Sequence, residues 1–100
     1  MSEHDNRRQF VRHPCDVAME GRSAEPRRTF ACRARNASEG GLLIETDAAL
    51  APGQRLTLSL RGADASRAMD AEVEVMWVAV EGGVHRAGVR YLRRREEFVV

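Results

Sequence analysis

The sequence predicts an all-β protein folded as a small six-stranded antiparallel barrel. Its 100 residues are enough for one domain with one modest core, and a hydrophobic content of 43% favours a folded globule over disorder. Short segments in which apolar and polar residues alternate recur along the chain, and turn signals separate them. Strands this short need closure into a barrel or sandwich, because an open sheet leaves its edges exposed.

Three strands are predicted in the first half of the chain. Residues 16–20 alternate, and residues 21–26 contain the glycine and proline of a turn. Residues 27–36 alternate between small or apolar side chains and arginines, which indicates a strand with one wet face. The glycines at 40–41 interrupt the pattern, and residues 42–45 form the third strand.

Three more strands are predicted in the second half. Residues 56–60 show the cleanest period-two alternation of the chain. Residues 61–70 are small and polar and are predicted to be a loop. Residues 71–80 and 84–92 alternate on either side of the Glu-Gly-Gly turn at 81–83, so we expect them to form a hairpin.

The domain organisation follows from these elements. Residues 1–14 form an N-terminal arm, and we expect residues 1–13 to be mobile without a ligand, because they have no apolar face to bury. Residues 15–92 form the barrel, and residues 93–100 form a tail or a short helix. No apolar run approaches the roughly 18–20 residues that cross a membrane, and the polar start lacks a signal-peptide stretch, so a cytoplasmic location without membrane insertion is expected.

Charge and motif content argue against several function classes. A net charge of +1 argues against general nucleic-acid binding. The three histidines and two cysteines have no metal-ligand spacing, so we expect neither a metal nor another cofactor. Cys15 and Cys32 are isolated and are expected to be buried free thiols. Without a GxSxG, HExxH or Walker motif, an enzyme is not expected.

Two short polar clusters form the candidate ligand site. One offers three guanidinium groups, and the other offers an amide, a hydroxyl and two glycines; the residues are Arg7, Arg8, Arg12, Asn36, Ser38, Gly40 and Gly41. Arginine forks match phosphate oxygens and the O6/N7 edge of guanine. Glycines in a polar turn let backbone and short side chains reach a flat base. Together the clusters indicate a compact, dianionic, purine-bearing ligand.

These clusters resemble the motifs of the PilZ domain family, small β-barrels of split-barrel type that bind the bacterial second messenger cyclic di-GMP. Residues 8–12 fit the family's RxxxR motif, and residues 36–41 fit its [D/N]xSxxG motif. Other segments typical of the family are residues 42–44, 75–77 and 88–91. Both motifs occur in the family's order and spacing, which makes the resemblance specific.

The resemblance implies that the protein is a cyclic di-GMP effector. Arg8 and Arg12 would clamp the ligand against Asn36 and Ser38 as the arm closes over the barrel. The surface offered to an unidentified protein partner would then change. The ligand would bind as a monomer or an intercalated dimer, and we expect Arg7 to favour the dimer.

Trp77 is the eighth candidate site residue, and specific expectations follow for it and for Asn36, Gly40 and Gly41. Asn36 stands where the family often has Asp, and its single acceptor oxygen predicts weaker guanine binding. Gly41, with Gly40, would provide a positive φ or a close backbone approach. Alternation places Trp77 on the face of Val73, which predicts a core position, whereas a place at the barrel rim would let it pack beside a guanine.

Two alternative functions remain open at this stage. A PilZ-like barrel without nucleotide binding could serve as a protein-interaction module, although the intact RxxxR motif argues against this. A small β-barrel could also bind RNA, which requires exposed aromatic side chains for base stacking. The candidates for stacking are Phe30, Trp77 and Tyr91.

Overall fold

The computed structural model describes residues 12–61 and 68–94, and every regular element within them is a β-strand. The strands are β1 (His13–Ala24), β2 (Arg27–Ala37), β3 (Gly41–Thr46), β4 (Arg55–Arg61), β5 (Ala68–Glu81) and β6 (Val84–Arg94). The predicted all-β class and the six strands are confirmed. Residues 1–11 of the predicted arm, the centre of the predicted loop and residues 95–100 lie outside the described residues. The predicted end of the arm is wrong, because His13 and Pro14 pair with β2 as the start of β1.

The strands form one antiparallel sheet that closes on itself in the order β1-β2-β3-β6-β5-β4. β4 pairs with the second half of β1, and this pairing closes the barrel. The predicted hairpin of β5 and β6 is confirmed, with Glu81 opposite Val84. Its turn residues Gly82 and Gly83 both have positive φ, which glycine adopts without steric strain.

Inward-facing apolar side chains fill the barrel. The largest fully buried side chains are Ile44, Leu58, Val73 and Val75. On β2 the predicted faces are confirmed, because Phe30, Cys32 and Ala34 are buried and Arg33 and Arg35 are exposed. Burying each large aliphatic side chain stabilises the fold by about 1.5–3 kcal/mol.

Residues 21–24 continue β1 instead of forming the predicted turn. Gly21 lies opposite Phe30, and a Cβ added at Gly21 would come within 2.5 Å of the Phe30 ring. This glycine therefore makes room for an aromatic ring within the sheet. The turn itself is reduced to Glu25 and Pro26, which are joined by a cis peptide bond.

The predicted loop before β5 and the predicted C-terminal tail are both shorter than expected. Asp70 belongs to β5, where its carboxylate accepts a 2.7 Å hydrogen bond from the Ser59 hydroxyl. Arg93 and Arg94 end β6, and the Arg94 guanidinium carbon lies 4.8 Å from the centre of the Tyr91 ring. Composition alone assigned these polar residues to a loop or a helix, and their contacts with neighbouring side chains stabilise them in the sheet instead.

Register shifts in β2 and β5 change which residues face the core. On β2 a shift between Ala34 and Asn36 leaves Asn36 half-buried and buries Ala37. On β5 a shift between Val75 and Trp77 leaves Val75 1% exposed and Trp77 43% exposed. The prediction that Trp77 lies in the core is therefore wrong, because an extra residue in a ladder reverses the faces that follow it.

The two cysteines are free thiols on neighbouring strands, but the expectation that both are buried is wrong for Cys15. Cys32 is buried, and burial raises the pKa of its thiol to about 11. Cys15 is only half-buried. Its pKa is raised mainly by burial and further by the carboxylate of Asp16.

Burial of Cys32 predicts a loss of stability at alkaline pH. An unfolded thiol ionises near about pH 8.5, whereas folded Cys32 keeps its proton up to about 11. Between these values the free energy of unfolding falls as pH rises, by up to about 1.4 kcal/mol per pH unit from this group. Urea unfolding at about pH 7.5 and about pH 10 measures the slope. Cys32→Ala should show a shallower slope, and an equal slope would contradict this assignment.

Candidate ligand-binding site

Six of the eight predicted site residues line one open cavity where β2 leads into β3. The cavity has a volume of about 200 Å³, and the six are Arg12, Asn36, Ser38, Gly40, Gly41 and Trp77. The rest of its lining consists of Leu42, Met76, Gly88 and Val89. The other two predicted residues, Arg7 and Arg8, lie outside the described residues. Segments far apart in the sequence thus meet in one place.

Gly41 allows β3 to approach β6 unusually closely. A Cβ added at Gly41 would lie 2.0 Å from the carbonyl oxygen of Val89 and 3.0 Å from the Cα atom of Arg90. Both atoms belong to the backbone, so no residue other than glycine fits without moving a strand. Of the two roles expected for these glycines, Gly41 shows the close approach, and neither Gly40 nor Gly41 has a positive φ.

Hydrogen bonds hold the turn between β2 and β3 in place. The backbone N–H of Ser38 donates to the carbonyl oxygen of Gly41 at 2.9 Å, and the Ser38 hydroxyl donates to the same oxygen over 3.4 Å. The N–H of Tyr91 donates to the Gly40 carbonyl at 2.9 Å, which ties the turn to β6. The Ser38 hydroxyl oxygen still has lone pairs that can accept a hydrogen bond.

Arg12 and Asn36 present polar groups without partners in the described chain. Arg12 is exposed, and it forms no ion pair or hydrogen bond with residues 12–61 or 68–94. Asn36 is half-buried between β1 and β3, and its side-chain amide likewise bonds to none of these residues. A guanidinium group with five donors and an amide with both donors and acceptors therefore remain available to a ligand.

Other arginines near this end of the barrel are already paired with carboxylates. The pairs are Arg33 with Asp16 at 2.7 Å, Arg86 with Glu45 at 2.9 Å and Arg90 with Glu74 at 2.6 Å. The hydrogen bond from Arg33 lowers the pKa of Asp16, so this carboxylate stays ionised. Arg12 is therefore the arginine of the cavity lining whose charge no described carboxylate neutralises.

Trp77, the one tryptophan of the sequence, covers Gly88 on the neighbouring strand. A Cβ added at Gly88 would lie 2.2 Å from Nε1 of the indole, so the ring lies directly over the glycine. The indole is 43% exposed and lines the cavity beside Met76, which is 49% exposed. The register shift on β5 produces this placement, and the sequence offered only the Val-Met-Trp segment as a signal of it.

The described residues provide few features of a nucleic-acid site, a metal site or a membrane span. Of the aromatic residues considered for nucleic-acid stacking, Phe30 is buried and Tyr91 is half-buried beneath Arg94. Within residues 12–61 and 68–94, no group of three or more His, Cys, Asp or Glu could hold a metal ion. The same residues contain no helix long and apolar enough to cross a membrane.

Solved structures with a similar fold include a PilZ domain and an inhibitor of motility. The PilZ domain of YcgR from Escherichia coli, solved with c-di-GMP, has a TM-score of 0.67 and 16% identity over 86% of this chain and 78% of that chain. The inhibitor of motility MotI/DgrA from Bacillus subtilis has a TM-score of 0.69 and 18% identity over 89% of this chain. The chain spans only 44% of the Bacillus protein.

At these identities the likeness to solved structures concerns the fold alone. A search of curated proteins gave no match. The family model of the PilZ domain matches residues 6–98, which include both polar clusters and all six strands. The chain therefore belongs to the PilZ domain family.

Proposed function

We propose that this domain binds cyclic di-GMP at the cavity and transmits its presence to a partner protein. The observation that carries the proposal is the convergence of Arg12, Asn36, Ser38 and Trp77 on one cavity, with the first two lacking partners in the described chain. Membership of the PilZ family supports it, as does the similar domain of YcgR solved with c-di-GMP.

The cavity has room for one guanine base rather than for the whole ligand. Its volume of about 200 Å³ lies below the roughly 300–1,000 Å³ of pockets that enclose a drug-sized ligand. The exposed face of Trp77 offers a stacking surface to the base. The Asn36 oxygen can accept a hydrogen bond from the guanine N1–H or N2–H group. The phosphates and the second base would extend outside the cavity.

Arginine provides the complementary charge for that outer part of the ligand. The Arg12 guanidinium can bond to a guanine O6/N7 edge or to a phosphate in a bidentate manner. Arg7 and Arg8 would add two more forks from the arm, and Arg7 would favour an intercalated ligand dimer. Ordering of the arm over the barrel would then be the signal.

The surface beside the cavity is a suitable place for the partner protein to detect the bound ligand. Met76 and Trp77 expose apolar area next to the proposed ligand, so a ligand or an ordered arm would cover it. The same exposed pair also favours a second candidate, a protein-interaction module that binds no nucleotide. The two candidates differ in whether cyclic di-GMP binds at all.

Titration with cyclic di-GMP, followed by calorimetry and by Trp77 fluorescence, separates these candidates. Because the chain has one tryptophan and it lines the cavity, its emission reports on this site. We expect saturable binding with a matching change in emission, and the stoichiometry will distinguish a bound monomer from a dimer. GTP and cyclic di-AMP should leave the emission unchanged. If cyclic di-GMP produces neither heat nor a change in emission, the interaction module is favoured.

A further inference from the structure

A second, larger groove lies on the outside of the barrel and has no role in the function proposed above. Its volume is about 710 Å³, and it shares no lining residue with the Trp77 cavity. Arg22 lies in this groove and follows Arg12, which precedes β1, by ten residues, or about 33 Å of extended chain at 3.3 Å per residue. The volume falls within the roughly 300–1,000 Å³ of small-molecule sites.

The groove is basic, and we call it the arginine groove. Its charged lining residues are Arg22, Arg27, Arg28, Arg55 and Glu72. Two of the arginines have partners of their own: Arg22 lies 3.5 Å from the carboxylate of Asp70, and Arg28 donates to the carbonyl oxygen of Ala49. The Nε atom of Arg28 is nevertheless buried without a hydrogen-bond partner in the described chain.

Arg27 and Arg55 are the unneutralised charges of this groove. Neither forms an ion pair or a hydrogen bond within residues 12–61 and 68–94. Glu74 lies opposite Arg55 in the β4–β5 ladder, but its carboxylate accepts two hydrogen bonds from Arg90, at 2.6 and 2.9 Å. Glu72 lies at the β5 side, 3.9 Å from Arg93. Arg27 and Arg55 therefore lack a counter-charge from the described residues.

The strand register brings the arginines close together. Arg27 lies opposite Ala24 on one side of β1, and Arg55 precedes Leu56, which lies opposite Ser23 on the other side. The Cα atoms of the two arginines are therefore about 10 Å apart, which is two strand spacings. Arg22 belongs to the same outer face of β1, two residues from the small side chain of Ala24.

We propose that the arginine groove binds a chain of phosphate groups, either free or attached to a nucleoside. Arg22, Arg27 and Arg55 all line the groove next to Ala24 in the strand register, and guanidinium forks bond to phosphate oxygens in a bidentate manner. A triphosphate brings three or more negative charges into this span. An extended acidic peptide presents a carboxylate to one side only every second residue, about 7 Å apart, and brings at most two.

Calorimetry with tripolyphosphate as the probe tests this inference on the intact protein. We expect saturable binding, and we expect the double variant R27Q/R55Q to bind at least about tenfold more weakly. The matched control is R33Q/R86Q, which loses the same charge at exposed positions outside the groove and should bind like the wild type. ATP in place of tripolyphosphate shows whether a nucleoside adds affinity.

Phosphate binding at the arginine groove and cyclic di-GMP binding at the cavity can be tested independently. Tripolyphosphate should leave Trp77 emission unchanged, and R27Q/R55Q should keep the cyclic di-GMP response of the wild type. Equal weakening of tripolyphosphate binding in both double variants would show a general charge effect and overturn the inference. Tighter binding of a hexaglutamate peptide than of tripolyphosphate would also overturn it, since the groove would then recognise acidic protein segments.

Discussion

Replacing Gly41 with alanine is expected to destabilise the barrel by about 3 kcal/mol or more. The new Cβ would lie 2.0 Å from the carbonyl oxygen of Val89, and that oxygen belongs to the backbone of β6. Relief of the contact requires β3 and β6 to separate, which breaks their ladder and distorts the cavity that both strands line. Urea unfolding of Gly41→Ala measures the loss.

The matched control is Gly82→Ala in the β5–β6 turn. A Cβ at Gly82 meets no atom within 4 Å, and only its φ of +58° is unfavourable for alanine. We expect a cost of about 1 kcal/mol there, because strain arises in one residue and no strand has to move. If Gly41→Ala unfolds at the same urea concentration as Gly82→Ala or later, the close approach of β3 to β6 is not what requires glycine.

Replacing Arg12 with alanine is expected to weaken cyclic di-GMP binding roughly 10- to 150-fold, the equivalent of about 1–3 kcal/mol for one bidentate contact. Arg12 has no partner in the described chain, so its loss should leave the urea midpoint of the free protein unchanged. Calorimetry and Trp77 emission measure the affinity. The combination of lost binding and unchanged stability is what distinguishes a ligand contact from a structural arginine.

Two variants control for charge and for geometry. Arg33→Ala removes the same charge from an exposed arginine that is paired with Asp16 outside the cavity, so its affinity should stay near that of the wild type. Arg12→Lys keeps the charge but not the planar fork, and we expect it to recover only part of the affinity. Unchanged binding by Arg12→Ala would refute the proposed arginine clamp.

Most strands could be predicted because one-sided burial leaves a period-two pattern in the sequence. Leu56, Leu58 and Leu60 are all buried, as their alternation predicts. Glycine is an ambiguous signal, because it occurs both in turns and inside strands. At Gly82 it makes a turn, whereas at Gly21 it makes room for the Phe30 ring within a strand, and only the pairing of β1 with β2 distinguishes the two uses.

The cavity could be predicted only in part. The motif residues identified Asn36 and Ser38, but the outward position of Trp77 depends on a register shift between β5 and β6. A bulge is defined by the partner strand, so the sequence of one strand does not reveal it. Gly88 was noted only as part of a family segment, although its missing side chain is what accommodates the indole. The pairing of β5 with β6 determines the position of Trp77, and the sequence pattern of a single strand does not contain that information.

The register shift between Val75 and Trp77 also has a consequence for protein design, because core packing and ligand contacts can be changed at different residues of β5. On β5 the residue that fills the barrel and the residues that face the cavity are different, with Val75 buried and Met76 and Trp77 open to the outside. Along β5, core packing can therefore be altered at Val75 without changing the cavity lining, and the lining can be altered at Met76 and Trp77 without opening the core. Strand register is the exception: if Met76 rather than Trp77 lay opposite Gly88, Trp77 would lie opposite the buried Ala87 and face the interior.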